Sequence, residues 1–464
     1  MSPSTRLDQD PPDYDGDIIG SLPFEILLQI VEYLDPADII QSQRVSKQWR
    51  GLFSSEKVIG CVLRLTLEIL GLEDEEVATK DAMTYFEWRH RLQHGRPVKK
   101  FFFAGADDSG EPIRERKQYH YMYAARRLCY LKYTSNLAVL YHFDKDRQQW
   151  PCVGYVGEEF EDIEDRENAI WSSFLADRVL LIVCRSRDQS LLTAVDLQTK
   201  RQRIGYFPSG RVSTFIDKDK VALLVRDTYS FLIYIWDITT NKLQNIGPLG
   251  DVTLVHMDAD RNMVVIFEID WHRHPTEVQQ TKWKFNGQLL DRKQFPLSPS
   301  GRGRVPLDEE TRPPLTRQFR CCRNFGHKSV TRVAFADHEN VVMDLIYDST
   351  IDKLSARWID HDLPPNTNLV VENPFMLLTP YISYYYHGVL NRLHICNTAN
   401  GTSRIYPYQQ DCQEVTGGQR VVFGDREVLC VHNDDGIQLW CFNPNFVLDL
   451  LEGKCFFLPK EESG

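Results

Sequence analysis

Residues 21–50 have the sequence SLPFEILLQIVEYLDPADIIQSQRVSKQWR, which carries more apolar side chains than one helix face can hold. Placed on a helix at 100° per residue, the eight apolar residues between Phe24 and Leu34 cover an arc of roughly 220°. This arc is about twice as wide as the stripe of an ordinary core-facing helix. Part of it can pack against neighbouring helices of the same chain. The rest is predicted to bind another protein.

Helix start and stop signals divide this segment into three predicted helices. Pro23 suits the first turn of the first helix, with Ser21 or Leu22 as its cap. Asp35 and Pro36 are predicted to end that helix and begin the second, because Asp35 can accept hydrogen bonds from free amides. Ser42 is predicted to cap a third helix, whose apolar residues are Val45, Trp49, Leu52 and Phe53. A unit of about 40 residues is too small to form a stable core alone, so residues 18–60 are expected to need a partner or a larger domain.

The order of Leu-Pro, Asp-Pro and Val-x-x-x-Trp in this segment resembles the F-box. The matching positions are Leu22, Pro23, Glu25, Ile26, Leu27, Ile30, Leu34, Asp35, Pro36, Asp38, Ile39, Val45, Ser46, Trp49 and Arg50. Phe24 departs from the family, which usually has a small or acidic residue there. The alternative is a generic three-helix bundle whose apolar surplus packs within this chain.

The resemblance implies a binding partner and a set of binding residues. F-box proteins bind a Skp-family adaptor and, through it, the cullin and RING subunits of a ubiquitin ligase. The positions that the resemblance assigns to adaptor binding are Leu22, Pro23, Ile26, Leu27, Ile30, Leu34, Pro36, Ile39, Val45 and Trp49.

Residues 61–98 are predicted to form a helical linker. An apolar run at 63–70 is followed by an acidic turn at 73–76 and a second helix that ends at Gly95 and Pro97. Met83, Phe86 and Trp88 are expected on the apolar side of that helix. Its basic end is expected to be solvated and contains Arg89, His90, Arg91 and His94.

From residue 99 onward the pattern changes to short apolar runs bounded by turn residues, which is typical of β-strands. The predicted strands are LCYLKY, LAVLYHF, VLLIVC, LLTAVDL, VALLV, FLIYIWDI, NMVVIFEI, TKWKF, VVMDLIY, RLHICN, EVLCVH and IQLWCF. Helical periodicity is missing over most of residues 99–464, which argues against an α/β layout.

A repeat underlies these strands: an aromatic or apolar strand end, then Asp or Asn, then a polar turn. Its marks are Asp144, Asp196, Asp237, Asn286, Asp360, Asn397 and Asn443. Most intervals are close to the ~40–50 residues of a four-stranded propeller blade, and the longest contains a loop insert at 296–315. The fold class is therefore α+β multidomain: a three-helix F-box, a helical linker and a β-propeller of about seven blades at 99–464. A pair of sandwiches or a large barrel is the alternative.

Composition excludes several classes of function. The net charge of −11 argues against a nucleic-acid binder, and no apolar stretch is long enough to suggest a membrane span. Residues 1–17 form an acidic segment that is expected to be disordered and lacks the features of a signal peptide. The 11 cysteines are scattered without a CxxC pair. We expect a protein of the cytoplasm or nucleus.

Candidate chemical sites are few. Nucleotide-binding, hydrolase and metalloprotease motifs are missing from the sequence, so no catalytic residue, cofactor or metal is predicted. His272 and His274 could begin a metal site but are expected in a surface loop. The insert, with Ser298-Pro299, is a candidate regulatory or phosphorylation loop. A tyrosine cluster consists of Tyr381, Tyr384, Tyr385 and Tyr386. It could form a recognition surface but is more consistent with strand core.

Three functions follow from this organisation. The first is a non-catalytic substrate receptor of a Skp–cullin–F-box ubiquitin ligase, in which the propeller binds a protein substrate of unknown identity. The second is a propeller enzyme or small-molecule-binding protein that uses a central funnel. The third is an F-box scaffold that acts outside ubiquitination.

Overall fold

The structure is a computed structural model that falls into two compact units. One unit is Met1–Glu68 with Leu72–His90, and the other is Ile69–Gly71 with Arg91–Gly464. The residues described are 18–73, 75–104, 119–124, 126–133, 138–142, 152–156, 170–176, 178–185, 189–199, 201–208, 211–226, 231–270, 277–297, 318–335, 341–360, 376–387, 392–399, 402–407, 421–433 and 436–448. The predicted acidic segment at 1–17 lies outside them.

The first unit is helical. Its elements are α1 (Ile18–Ser21), α2 (Phe24–Val31), α3 (Pro36–Ser42), α4 (Lys47–Phe53), α5 (Glu56–Leu70), a 3-10 turn (Thr79–Asp81) and α6 (Ala82–His94). The three predicted helices correspond to α2, α3 and α4. The prediction of only three helices in residues 18–60 was wrong, because α1 and the first turn of α5 also lie there. None of the helices in the described ranges has the length and apolar character needed to cross a bilayer.

The helix caps agree with the sequence at one boundary and differ at two. Asp35 accepts from the backbone N–H of Ala37 at 3.1 Å, and Asp38 accepts from that of Asp35, as a capping box requires. Pro23 is the N-cap of α2 rather than a residue of its first turn. Ser46, not Ser42, caps α4 by accepting from the N–H of Trp49, because Ser42 still belongs to α3.

The second linker helix, α6, differs from its prediction on two sides. Phe86 and Trp88 are buried as expected, but Met83 is half exposed. Arg89 is buried rather than solvated, and its guanidinium donates to Thr66 Oγ1 at 3.3 Å. Burial lowers the pKa of Arg89 to about 10, against the opposing influence of Asp35. Gly95 has a φ of 61°, the left-handed conformation that ends a helix.

Within its described residues, the second unit contains seven four-stranded antiparallel sheets, which we label A to G. Sheets A and B are β2 (Tyr119–Ala124), β3 (Arg127–Tyr133), β4 (Ala138–His142), β5 (Cys152–Val156), and β6 (Ile170–Leu175), β7 (Val179–Arg185), β8 (Gln189–Asp196), β9 (Gln202–Pro208). Sheets C and D are β10 (Arg211–Asp217), β11 (Lys220–Arg226), β12 (Phe231–Asp237), β13 (Lys242–Leu249), and β14 (Val252–Asp258), β15 (Met263–Glu268), β16 (Glu277–Lys284), β17 (Leu289–Pro296).

The remaining sheets complete the series. Sheets E and F are β18 (Gln318–Phe325), β19 (Lys328–Phe335), β20 (Val341–Asp348), β21 (Lys353–Asp360), and β22 (Met376–Leu377), β23 (Ile382–His387), β24 (Arg392–Asn397), β25 (Thr402–Pro407). Sheet G joins β26 (Val421–Gly424), β27 (Val428–Asn433) and β28 (Gly436–Cys441) to β1 (Lys99–Ala104), which pairs with β28. Six sheets therefore use four consecutive strands, whereas the seventh combines both ends of the unit.

The sheets are arranged as a β-propeller. Their first strands contact one another between sheets A and B and from sheet C through D, E and F to G, and β26 of sheet G contacts β2 of sheet A. Buried apolar clusters join A to B, B to C, C to D, D to E, and G to A. Sheets A to D thus have apolar neighbours on both faces, which explains why their predicted runs lack clean alternation. Each of the twelve predicted strands overlaps a strand of these sheets.

Of the six repeat marks within the described residues, all but one lie at the end of the third strand of a sheet or two residues beyond it. Asp360 ends the fourth strand of sheet E, and the equivalent residue is Asp348 at the end of β20. With Asp348 in its place the intervals become 52, 41, 49, 62, 49 and 46 residues. The 62-residue interval contains the predicted insert, most of which lies outside the described residues, as does Asp144.

The physical reason for the mark is a side-chain cap on the turn between the third and fourth strands. Each Asp or Asn accepts a hydrogen bond from a backbone N–H two or three residues later, as Asx turns do. This holds for Asp196, Asp237, Asn286, Asp348, Asn397 and Asn443.

A fully buried ion pair lies within sheet E. Arg332 Nε and Nη2 donate to the two carboxylate oxygens of Asp344, each at 2.6 Å, and both side chains have no exposed surface. Arg332 Nη1 also bonds Ser383 of sheet F. Because a buried charge is tolerated only when it is paired, Arg332 depends on Asp344.

We expect Asp344→Asn to lower the free energy of unfolding of the propeller by about 3–5 kcal/mol, since it leaves the Arg332 charge buried and unpaired. Asp291→Asn, at an exposed ion pair with Lys293, should cost less than about 1 kcal/mol. Urea unfolding of the two variants measures both values. Equal losses would contradict the importance of the buried pair.

A second buried polar group lies between sheets D and E. His256 Nδ1 bonds Ser329 Oγ at 2.7 Å, and its ring packs edge-on against Tyr347. Burial lowers the pKa of His256 to about 4, with Asp258 opposing this effect and Arg261 adding to it. The folded protein therefore favours the neutral imidazole.

The lowered pKa of His256 predicts that the folded protein becomes less stable in acid. Because the folded pKa is lower than the unfolded value of about 6.5, the stabilisation is present above pH 6.5 and is lost as the pH falls towards 4. Between pH 6.5 and pH 4, the free energy of unfolding of wild type should fall by about 3 kcal/mol more than that of His256→Gln. Urea unfolding at several pH values tests this, and parallel pH profiles for the two proteins would contradict it.

Candidate protein-interaction site

The structure separates the ten predicted adaptor-binding residues by exposure. Three are buried in the interior: Leu27, Pro36 and Ile39. Three are exposed: Pro23, Ile26 and Val45. Four are half-buried: Leu22, Ile30, Leu34 and Trp49. The buried three are therefore out of reach of a partner in this conformation, and we assign them to the packing of the helical unit.

The exposed apolar residues of this segment are more numerous than a small domain usually leaves in water. Val45 is 63% exposed, Ile26 is 40% exposed and Tyr33 is 90% exposed. We define the F-box apolar surface as Leu22, Pro23, Ile26, Ile30, Tyr33, Leu34, Val45 and Trp49. Tyr33 was part of the apolar arc in the sequence but was not predicted as a site residue. Its position in the turn between α2 and α3, outside both helices, accounts for its exposure.

Charged residues near this surface differ in sign from one helix to another. Around Val45 and Trp49, the exposed residues Arg44, Lys47 and Arg50 are basic. Helix α2 and the turn after it expose Glu25 and Glu32. A partner that covers both regions would meet a basic border on one side and an acidic border on the other.

Phe24, the residue that departs from the F-box pattern, is half-buried and lies beneath a lysine. The Nζ atom of Lys57 is 5.5 Å from the centre of its ring, a distance at which a cation–π interaction is favourable. The larger side chain is therefore accommodated locally at the start of α5.

The central end of the propeller is bridged by one arginine. Arg323 lies on β18, and its Nη1 donates to the carbonyl oxygens of Leu377 on β22 at 2.8 Å and of Gly424 on β26 at 2.7 Å. These three strands are the inner strands of consecutive sheets, so one guanidinium joins sheets E, F and G where a central channel would open.

The other candidates from the sequence are the tyrosine cluster, the two histidines and the loop insert. Tyr384 is fully buried and its hydroxyl bonds the carbonyl oxygen of Leu92, which agrees with strand core. Tyr381 is half-buried, and nothing is described for the side chains of Tyr385 and Tyr386. His272, His274 and residues 298–315 of the insert lie outside the described residues.

Comparison with known protein families agrees with the helical segment. Residues 19–58 match the F-box-like family. The match covers about a tenth of the chain, so it identifies this segment and not the family of the whole protein. No curated protein matches the chain.

The solved structures that are similar in fold have low sequence identity to this chain. Oligogalacturonate lyase in complex with manganese is 14% identical, with a TM-score of 0.41, covering 75% of this chain and 98% of that one. The Dos1 propeller is 10% identical, with a TM-score of 0.39 and coverage of 75% and 83%. Kluyveromyces lactis Hsv2 is 11% identical, with a TM-score of 0.38 and coverage of 68% and 89%. The propeller assignment therefore rests on the sheet topology, and the chain combines an F-box-like segment with a β-propeller.

Burial predicts which residues of the F-box-like segment are structural. Leu27→Ala should destabilise the helical unit by about 2–5 kcal/mol, because it opens a cavity at a fully buried site. Val45→Ala should change stability by less than about 0.5 kcal/mol, because that side chain is in water. Unfolding followed by circular dichroism at a helix-sensitive wavelength measures both, and a similar cost at the two positions would contradict the assignment.

Proposed function

We propose that this protein is a non-catalytic substrate receptor of a Skp–cullin–F-box type ubiquitin ligase. The F-box apolar surface would bind a Skp-family adaptor and, through it, the cullin and RING subunits. The propeller would hold a protein substrate. The observation that supports this most strongly is the F-box-like match at residues 19–58 together with the exposure of Ile26, Tyr33 and Val45 within it.

The physical argument is the free energy of apolar surface in water. Burying an exposed side chain of this size contributes roughly 1.5–3 kcal/mol. A partner that covers the F-box apolar surface gains several such contributions without requiring the helices to refold. The half-buried Trp49 packs against the buried Phe53 at 5.7 Å between ring centres, so its indole is already held in place for a partner.

In this role the chain accelerates ubiquitin transfer by position alone. Binding a substrate on the same assembly as the conjugating enzyme raises their effective concentration, and no side chain of this protein takes part in a covalent step. We propose the cytoplasm or the nucleus as its place of action, and no cofactor or metal for this activity.

The alternative of a propeller enzyme with a central funnel receives less support. Such a site would place catalytic groups where the inner strands meet, and there Arg323 is bound to two backbone carbonyls. An F-box scaffold that acts outside ubiquitination would use the same adaptor contact and differs only in the fate of the bound protein.

Val45→Asp tests adaptor binding with little risk to the fold, because Val45 is exposed. An aspartate there puts a charge into an apolar contact, and we expect at least ~30-fold weaker binding to a purified Skp-family adaptor. The measurement is biolayer interferometry with the full chain. Ile30→Asp, or alanines at both Leu22 and Pro23, should also abolish co-purification with the adaptor while the propeller remains folded.

Met83→Asp is the matched control. Met83 is half exposed in the same helical unit but lies on α6, outside the F-box-like segment. This variant should bind the adaptor within about twofold of wild type. Wild-type binding by Val45→Asp and Ile30→Asp, or equal loss by Met83→Asp, would overturn the proposed function.

A further inference from the structure

Three consecutive outer strands of the propeller expose large apolar side chains. The strands are β9, β13 and β17, the fourth strands of sheets B, C and D. Four large apolar residues on these strands are each 43% to 53% exposed: Tyr206, Leu243, Leu289 and Leu290. By contrast, the described side chains of the outer strand β21 in sheet E include no exposed large apolar residue. We call the three strands the outer-strand belt.

The belt is also basic, although the whole chain carries a net charge of −11. Five cations lie on these strands or immediately before β9, against the single carboxylate of Asp291. The cations are Arg201, Arg203, Lys242, Arg292 and Lys293.

Most of these cations are free to bind an anion. Lys293 is paired with Asp291 at 3.1 Å and with Asp352 at 3.5 Å. Arg292 donates to the neutral Gln279 at 2.7 Å. Within the described part of the chain, Arg201, Arg203 and Lys242 have no carboxylate partner.

The geometry of the strands determines how a partner can bind. The pairing register of β16 and β17 shifts between Lys282 and Trp283, so that Leu290 of β17 is an extra residue with no partner on β16. Bulges and lysines such as Lys293 protect an outer edge against pairing with another strand. Recognition at the belt is therefore expected through side chains rather than through an added strand.

We propose that the outer-strand belt binds an acidic protein segment that carries apolar side chains. The apolar residues supply the contact area, and the unpaired cations supply charge complementarity and orientation. A nucleic acid would use the cations but not the leucines. As part of the proposed function, this inference names the class of substrate: proteins with an accessible segment rich in Asp or Glu and in leucine-like residues.

The test is a selection of random twelve-residue displayed peptides on the immobilised full chain. A parallel selection uses a belt variant, Arg203→Glu with Lys242→Glu and Leu289→Ser. We expect peptides enriched on wild type and lost on the variant to contain more Asp and Glu than Lys and Arg, with apolar residues between them. The best peptide, measured by fluorescence anisotropy, should bind the variant at least ~10-fold more weakly and lose affinity as salt is raised.

A matched control reverses a charge and removes an apolar group elsewhere on the propeller. Lys99→Glu with Val447→Ser changes an exposed lysine on β1 and an exposed valine that follows β28, both at sheet G. This control should bind the selected peptide within about twofold of wild type.

Each other outcome overturns the proposal. Selected peptides that are neutral or basic, or that bind the belt variant as well as wild type, would exclude an acidic segment. Belt-dependent binding to phosphatidylserine vesicles without an acidic peptide would identify a membrane contact, and a dimer that the variant makes monomeric would identify a second copy of the chain. Because the selection needs no adaptor, its failure would leave adaptor binding through the F-box apolar surface intact, and the reverse also holds.

Discussion

The helices of the first unit carry more apolar surface than they can bury, and the proposed function follows from this constraint. Leu27, Val31 and Ile39 fill the interior, where they have almost no exposed surface. Ile26 then remains in water because consecutive helical residues point in different directions. Tyr33 and Val45 remain in water because they lie in the turns between helices. Helix caps at Asp35 and Ser46 hold the helices in this arrangement, so the surface is formed before any partner arrives. A partner that covers it pays little for reorganisation.

The propeller, in contrast, covers its apolar surface within its own unit. Each of its sheets has two apolar faces, and a ring of sheets covers both by packing neighbours on either side. The buried charge of Arg332 is paired with Asp344 in the same sheet and bonds Ser383 of the next sheet. The ring is joined between sheets G and A by Arg126, which donates two hydrogen bonds to Glu427 at 2.7 Å each. The result is a scaffold whose outer strands and turns remain available for recognition.

Local signals in the sequence predicted much of this structure. The helix cap at Asp35, the stop at Gly95 and the central strands of the sheets depend on nearby residues, and these predictions were correct. Properties that depend on tertiary packing were not predictable in the same way. The sequence could not distinguish buried Leu27 from exposed Ile26, and helical periodicity did not indicate that Arg89 would be buried against Thr66.

Asp360 fits the repeat pattern as well as Asp348 does, and only the strand pairing shows which residue ends the third strand. Outer strands such as β9 and β17 lack continuous apolar runs, so they were not among the predicted strands.

Hydrogen–deuterium exchange of the full chain, with and without a purified Skp-family adaptor, tests the central claim most directly. The exposed apolar side chains lie on α2, on α4 and on the turns beside them, so a bound adaptor should slow amide exchange in residues 22–50. Exchange in the propeller strands should stay the same. Unchanged exchange in residues 22–50 at saturating adaptor, or slowing confined to the propeller, would contradict the account.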